Sequence, residues 1–143
     1  MNKLSDKIAD LTREEWKNLG FYYISDQANE KWELHGSRTG LSNLCNLLRK
    51  FASENREYGD HEHLMPHWYL TFTSLEDFSI NKRDIGGKPE QLMRFANFFE
   101  KEVSDCRQGA TVTVPKDAFN TDYEITFTVH RDNFDPSSKD PQL

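Results

Sequence analysis

Apolar side chains recur along this chain at two spacings, and each spacing specifies an element. Leu41, Leu44, Cys45, Leu48 and Phe51 fall three and four apart, which predicts one amphipathic helix over about Leu41 to Ser53. Leu92, Phe95, Ala96, Phe99 and Val103 repeat the pattern, with Glu90, Arg94, Glu100 and Lys101 off the stripe. That second helix starts at Pro89, whose fixed φ suits a first helical position. Alternation marks the strands. Tyr123, Ile125, Phe127 and Val129 alternate with Glu124, Thr126, Thr128 and His130, and Thr111 to Val114 reads as a hairpin partner. Trp68 to Thr73 is the central strand candidate, with Trp68, Leu70 and Phe72 on the core face and Tyr69, Thr71 and Thr73 on the other. Phe21 to Ser25 and Lys31 to His35 form a further hairpin around a polar loop, and Phe78 to Asn81 a short strand before the break at Gly86 and Gly87.

Near the N-terminus, Thr12 and Glu15 have the spacing of a capping box, with Leu11 and Trp16 placed as a hydrophobic staple and Gly20 as a left-handed stop. A short helix is expected to begin at Thr12. Glu54 to Glu62 is polar and reads as a loop, and residues 131–143 carry no periodic apolar face, which predicts a flexible tail after a single domain over 1–130. The element order predicts an α+β fold: one antiparallel sheet of about five or six strands with two main amphipathic helices packed on one face, plus the short N-terminal helix.

Composition narrows the class. The 143 residues suit one domain, and 10 Phe, 5 Tyr and 3 Trp concentrate burial in large rings, predicting an aromatic core. Eighteen Lys and Arg against 24 Asp and Glu give a formal charge of −6, a field that repels phosphate and disfavours nucleic acid as a partner. The stretch Met1 to Leu11 lacks the apolar centre of a signal peptide, and no run has the ~20 apolar residues of a membrane span, so a cytoplasmic protein is expected. Only Cys45 and Cys106 occur; Cys45 sits on a helical stripe, which favours a packed, reduced thiol over a nucleophile.

Candidate chemistry is concentrated in Asp60, His61, Glu62 and His63, followed by His67. In an extended segment residues two apart face the same way, so His61 and His63 can offer two imidazoles to a divalent metal, with a third ligand still required. Asp60 or Glu62 can instead orient a histidine as a general base, but no nucleophile accompanies them. Gly36 to Gly40 lies between a strand and a helix, where backbone amides aided by Arg38 can hold an anion. It lacks the lysine of a phosphate-binding loop, and a plain turn is the simpler reading.

The run Leu34-His35-Gly36, Ser37-Arg38-Thr39-Gly40-Leu41, the leucine-rich helix and Gly59-Asp60-His61-Glu62-His63-Leu64 together resemble bacterial polymorphic-toxin immunity proteins, specifically the immunity protein family numbered thirty-two, over about Trp32 to Leu64. The resemblance implies a non-enzymatic domain that binds and neutralises a cognate toxin, without cofactor, and it supplies no catalytic residues. Arg38, Asp60, His61, Glu62, His63 and His67 are then the candidate partner-binding residues, and the acidic balance suits a basic partner. Two alternatives belong to other classes: a metal-dependent enzyme built on His61 and His63, and a self-associating module, for instance a homodimer, that pairs through an exposed strand edge.

Overall fold

The computed structural model describes residues 4–143, so Met1 to Lys3 of the N-terminal stretch lie outside it. The first helix, α1 (Asp6–Leu19), starts earlier than the capping-box spacing predicts. Ser5 caps it by accepting from the amide of Ile8, and Thr12 lies inside the helix with its hydroxyl donating back to the Ile8 carbonyl at 2.8 Å. Leu11 faces solvent, so the staple does not form, whereas Trp16 is fully buried. Gly20 ends α1 in the left-handed conformation, as its position predicts, at φ 92°.

From Gly20 the chain enters β1 (Phe21–Asp26) and returns as β2 (Lys31–Ser37), the expected antiparallel hairpin. Ser37 caps α2 (Arg38–Ser53), which begins one turn ahead of the apolar stripe because its hydroxyl accepts from the amide of Gly40. Gly40 is required there: a Cβ on it would stand 1.9 Å from the carbonyl oxygen of Gly20, so the end of α1 meets the first turn of α2 backbone to backbone. The polar segment after α2 carries a three-residue strand, β3 (His61–His63), antiparallel to β4 (Thr71–Ser74). Next come β5 (Ser79–Ile80) and β6 (Asp84–Gly87), so Gly86 and Gly87 lie inside a strand and do not break the chain. The helix α3 (Pro89–Asp105) buries the stripe predicted for it, Leu92, Phe95, Ala96, Phe99 and Val103, and packs along α2. The strand β7 (Thr111–Val114), a single helical turn α4 (Lys116–Phe119) and β8 (Glu124–His130) follow.

The fold is α+β, but the single antiparallel sheet of five or six strands is not what forms. The eight strands of the described residues make two four-stranded mixed sheets, ordered β1-β2-β8-β7 and β3-β4-β6-β5. Parallel pairing is the cause of the difference. β8 lies beside β2 in parallel, reached through the long connection that contains α3, and β6 lies parallel to β4 with β5 outside it. Alternation along β8 reports which face is buried; it carries no information on which strand lies alongside. Hydrogen bonds tie the two sheets together: Trp32 Nε1 donates to the Asn81 carbonyl at 2.7 Å, and the Tyr123 amide to the Ile80 carbonyl at 2.9 Å. One aromatic-rich core, with Trp16, Trp32, Phe51, Phe72, Phe95 and Phe127 among its buried rings, runs through both.

The last residues differ from the flexible tail expected of them. Pro136–Lys139 form a 3-10 turn packed on α1 and β1, and Ser137 and Asp140 are buried. A stretch without apolar periodicity is held here by polar anchors, which hydrophobic pattern does not register.

Candidate functional site

The segment between β3 and β4 brings three exposed large apolar side chains together within five residues. Met65, Trp68 and Tyr69 are exposed, Trp68 at 57 %, although the sequence pattern places Trp68 in the core. The strand begins only at Thr71, and Trp68 stands in the loop before it with φ at 65°. A bulky residue in the left-handed region is energetically costly and persists only where the surroundings impose it. The Trp68 ring stacks on His63 with centroids 5.6 Å apart, its indole nitrogen points at the Met65 sulfur, and Leu64 and Leu70 pair through their backbones beneath it.

His61 and His63 do lie side by side, with ring centroids 5.1 Å apart. His61 Nδ1 donates to the Gly59 carbonyl at 3.1 Å, and His63 Nδ1 lies 3.0 Å from the Thr71 hydroxyl. Among the described residues no group of three or more His, Cys, Asp or Glu side chains is placed to hold a metal ion. Glu62 forms an ion pair with Arg56 at 2.5 Å, and Arg56 in turn lies over the Phe51 ring. The Asp60 carboxylate accepts from the amide of Glu57 at 2.9 Å, closing the turn that leads into β3.

The other candidate residues lie elsewhere and are engaged internally. Arg38 reaches the C-terminal end of α3, where Nη1 donates to the carbonyls of Val103, Ser104 and Cys106 at 2.5, 3.2 and 2.9 Å. A guanidinium there satisfies orphan carbonyls and meets the negative end of the helix dipole. His67 turns away from His61 and His63, and its Nε2 donates to Asp140 at 2.6 Å. Cys45 is buried and its thiol is pushed up to about 12 by that burial, which fits packing and not nucleophilic chemistry.

Beside His63 and Met65 opens a cleft of about 360 Å³ between α1, α2 and the second sheet. Leu19, Leu47, Leu64 and Phe72 supply its apolar walls, and Glu15, Asn18, Asn43 and Glu62 its polar groups. Trp68, Met65 and Glu15 are the residues that sequence reasoning left out of the site. No local signal separates Trp68 from the strand, because it alternates with Leu70 and Phe72 as a core residue would.

Over residues 31–83 the chain matches the family model described as Immunity protein 32, which bears out the resemblance read over Trp32 to Leu64. No curated protein and no solved structure matches the chain. The matched part includes β2, α2 and the whole segment from His61 to Leu70, while α1, α3 and β8 fall outside it. No described helix is long and apolar enough to cross a membrane.

Proposed function

We propose that this protein is a toxin-neutralising immunity protein that acts by binding, with the surface around Trp68, Met65, His63 and Tyr69 as its docking face. The observation that carries this reading is Trp68: a large indole held exposed on a strained backbone, within the segment matching the immunity-protein family. Tryptophan and tyrosine are the side chains that most often anchor protein interfaces, since they bury much area at little rotamer cost. An acidic chain favours encounter with a basic toxin, and rim charges such as Glu62 steer its approach.

The test is protection. Cells producing a cognate toxin should grow when the wild-type protein is co-expressed and fail to grow with Trp68→Ala, while the purified variant keeps the wild-type circular dichroism spectrum. Equal protection by Trp68→Ala and Tyr69→Ala would remove the docking face, and no protection by the wild type would remove the role. Elemental analysis of untagged protein against a His61→Ala and His63→Ala variant checks the metal alternative: stoichiometric metal lost in the variant would replace the binding reading.

A further inference from the structure

The cleft beside the docking face combines three features that together specify an occupant. Its walls are aliphatic and aromatic, from Leu19, Leu47, Leu64 and Phe72. Its polar groups are predominantly hydrogen-bond acceptors. The Glu15 carboxylate makes no ion pair or hydrogen bond among the described residues, although Glu15 is only half-exposed. Asn43 gives one Nδ2 hydrogen to the Leu19 carbonyl at 2.7 Å, and its amide oxygen receives no hydrogen bond among the described residues. Glu62 adds a second carboxylate that Arg56 neutralises only from one side, through Oε1.

An apolar trough whose lining also carries an uncompensated carboxylate and an amide oxygen is complementary to a side chain with a long aliphatic stem and a cationic, donor-only head. The geometry points to an arginine side chain of the partner protein as the occupant of this cleft, its stem against Leu47 and Leu64 and its guanidinium on Glu15 and Asn43. Arginine fits better than lysine because a planar fork of five donors can engage two acceptors at once, and because it is more weakly hydrated than an ammonium. The cleft shares His63 and Met65 with the docking face, so an arginine anchored here leaves its neighbours in contact with Trp68. This inference rests on the binding role proposed above and adds the chemistry of the partner's anchor.

Propylguanidinium serves as a probe that needs no toxin. Titrated into isotope-labelled protein, it should shift the amide resonances of Leu19, Asn43, Leu47 and Leu64 saturably. Binding should weaken about threefold with the isosteric Glu15→Gln, the scale of a partly exposed ion pair, and disappear with Leu47→Lys, which fills the trough with a cation of its own. Propylurea, the same shape without charge, should bind more weakly, and so should propylammonium. Shifts elsewhere, equal binding of propylurea or propylammonium, or indifference to Glu15→Gln would each overturn the assignment. Intact guanidinium binding in a protein that fails to protect cells counts against the toxin role alone; protection without guanidinium binding counts against the cleft alone.

Discussion

The indole nitrogen of Trp16 donates to the carboxylate of Asp140 at 2.9 Å, a bond that joins residues 124 positions apart and closes the last turn of the chain onto its first helix. The same carboxylate oxygen accepts from His67, and the other accepts from the amide of Gln142. Burial works against the charge of Asp140, but the hydrogen bonds from His67, Trp16 and Gln142 outweigh it and hold the carboxyl below its ordinary range. Asp140→Ala strands the fully buried Trp16 donor, so urea denaturation should show a loss of about 1–3 kcal/mol, the cost of an unsatisfied buried group. Amides of 136–142 should exchange faster in the same variant.

Stability should fall in mild acid. His35 Nδ1 and His130 Nε2 are 3.0 Å apart, a distance at which one ring donates and the other accepts. Both titrate below the ordinary histidine value of 6.5, chiefly through burial, with Lys139 adding to the effect. Between 6.5 and those lowered values the unfolded chain binds protons that the folded chain refuses, so this stability is whole above 6.5 and lost as pH drops through the folded values. Asp140 adds a second loss further into acid, below the ordinary carboxyl value of 3.8. The urea midpoint measured between pH 8 and 5 should therefore decline, and His35→Gln should flatten that decline; a flat wild-type profile would contradict it.

Trp68→Gly separates stability from binding. Glycine accepts the left-handed conformation without steric cost, so the variant should be as stable as wild type or more stable, by up to about 1 kcal/mol. It should also lose protection against the toxin. A destabilised Trp68→Gly protein would show that the indole contributes packing that its exposure conceals.

Arg38→Met should cost roughly 1–2 kcal/mol, since three carbonyls at the end of α3 lose a charged donor while water reaches some of them. Under the proposed function, toxin affinity at a permissive temperature should stay unchanged, because the guanidinium is bonded to the end of α3 and Arg38 does not line the cleft beside the docking face. Calorimetric titration of the variant against the toxin is the check.

Helices and hairpins were legible wherever a single face decides the outcome. The stripes of α2 and α3 and the alternation of β8 are burial patterns written one residue at a time, and the β1–β2 hairpin is local. What resisted reading depends on distant partners. Thr12 has the spacing of a cap, but Ser5 takes that role because Ala9, Thr12 and Trp16 share the buried face of a longer helix. Trp68 alternates correctly with Leu70 and Phe72, yet the strand ends short of it and the side chain goes to solvent. His61 and His63 lie side by side in β3, whereas His67 and Arg38 answer to Asp140 and to α3, contacts that no local pattern encodes.

The placement of β8 has a kinetic side. The strand inserted between β2 and β7 is the last in sequence among the described residues, and contacts such as His35 with His130 close a loop of 95 positions. Until β8 is made, β2 has an open edge toward the centre of its sheet, and β7 has nothing to pair with. Such non-local closure slows folding and leaves strand edges bare in the meantime. During synthesis the segment from His61 to Tyr69 is translated well before β8, so under the proposed binding role full binding competence should lag behind the appearance of the chain by the time that final pairing takes.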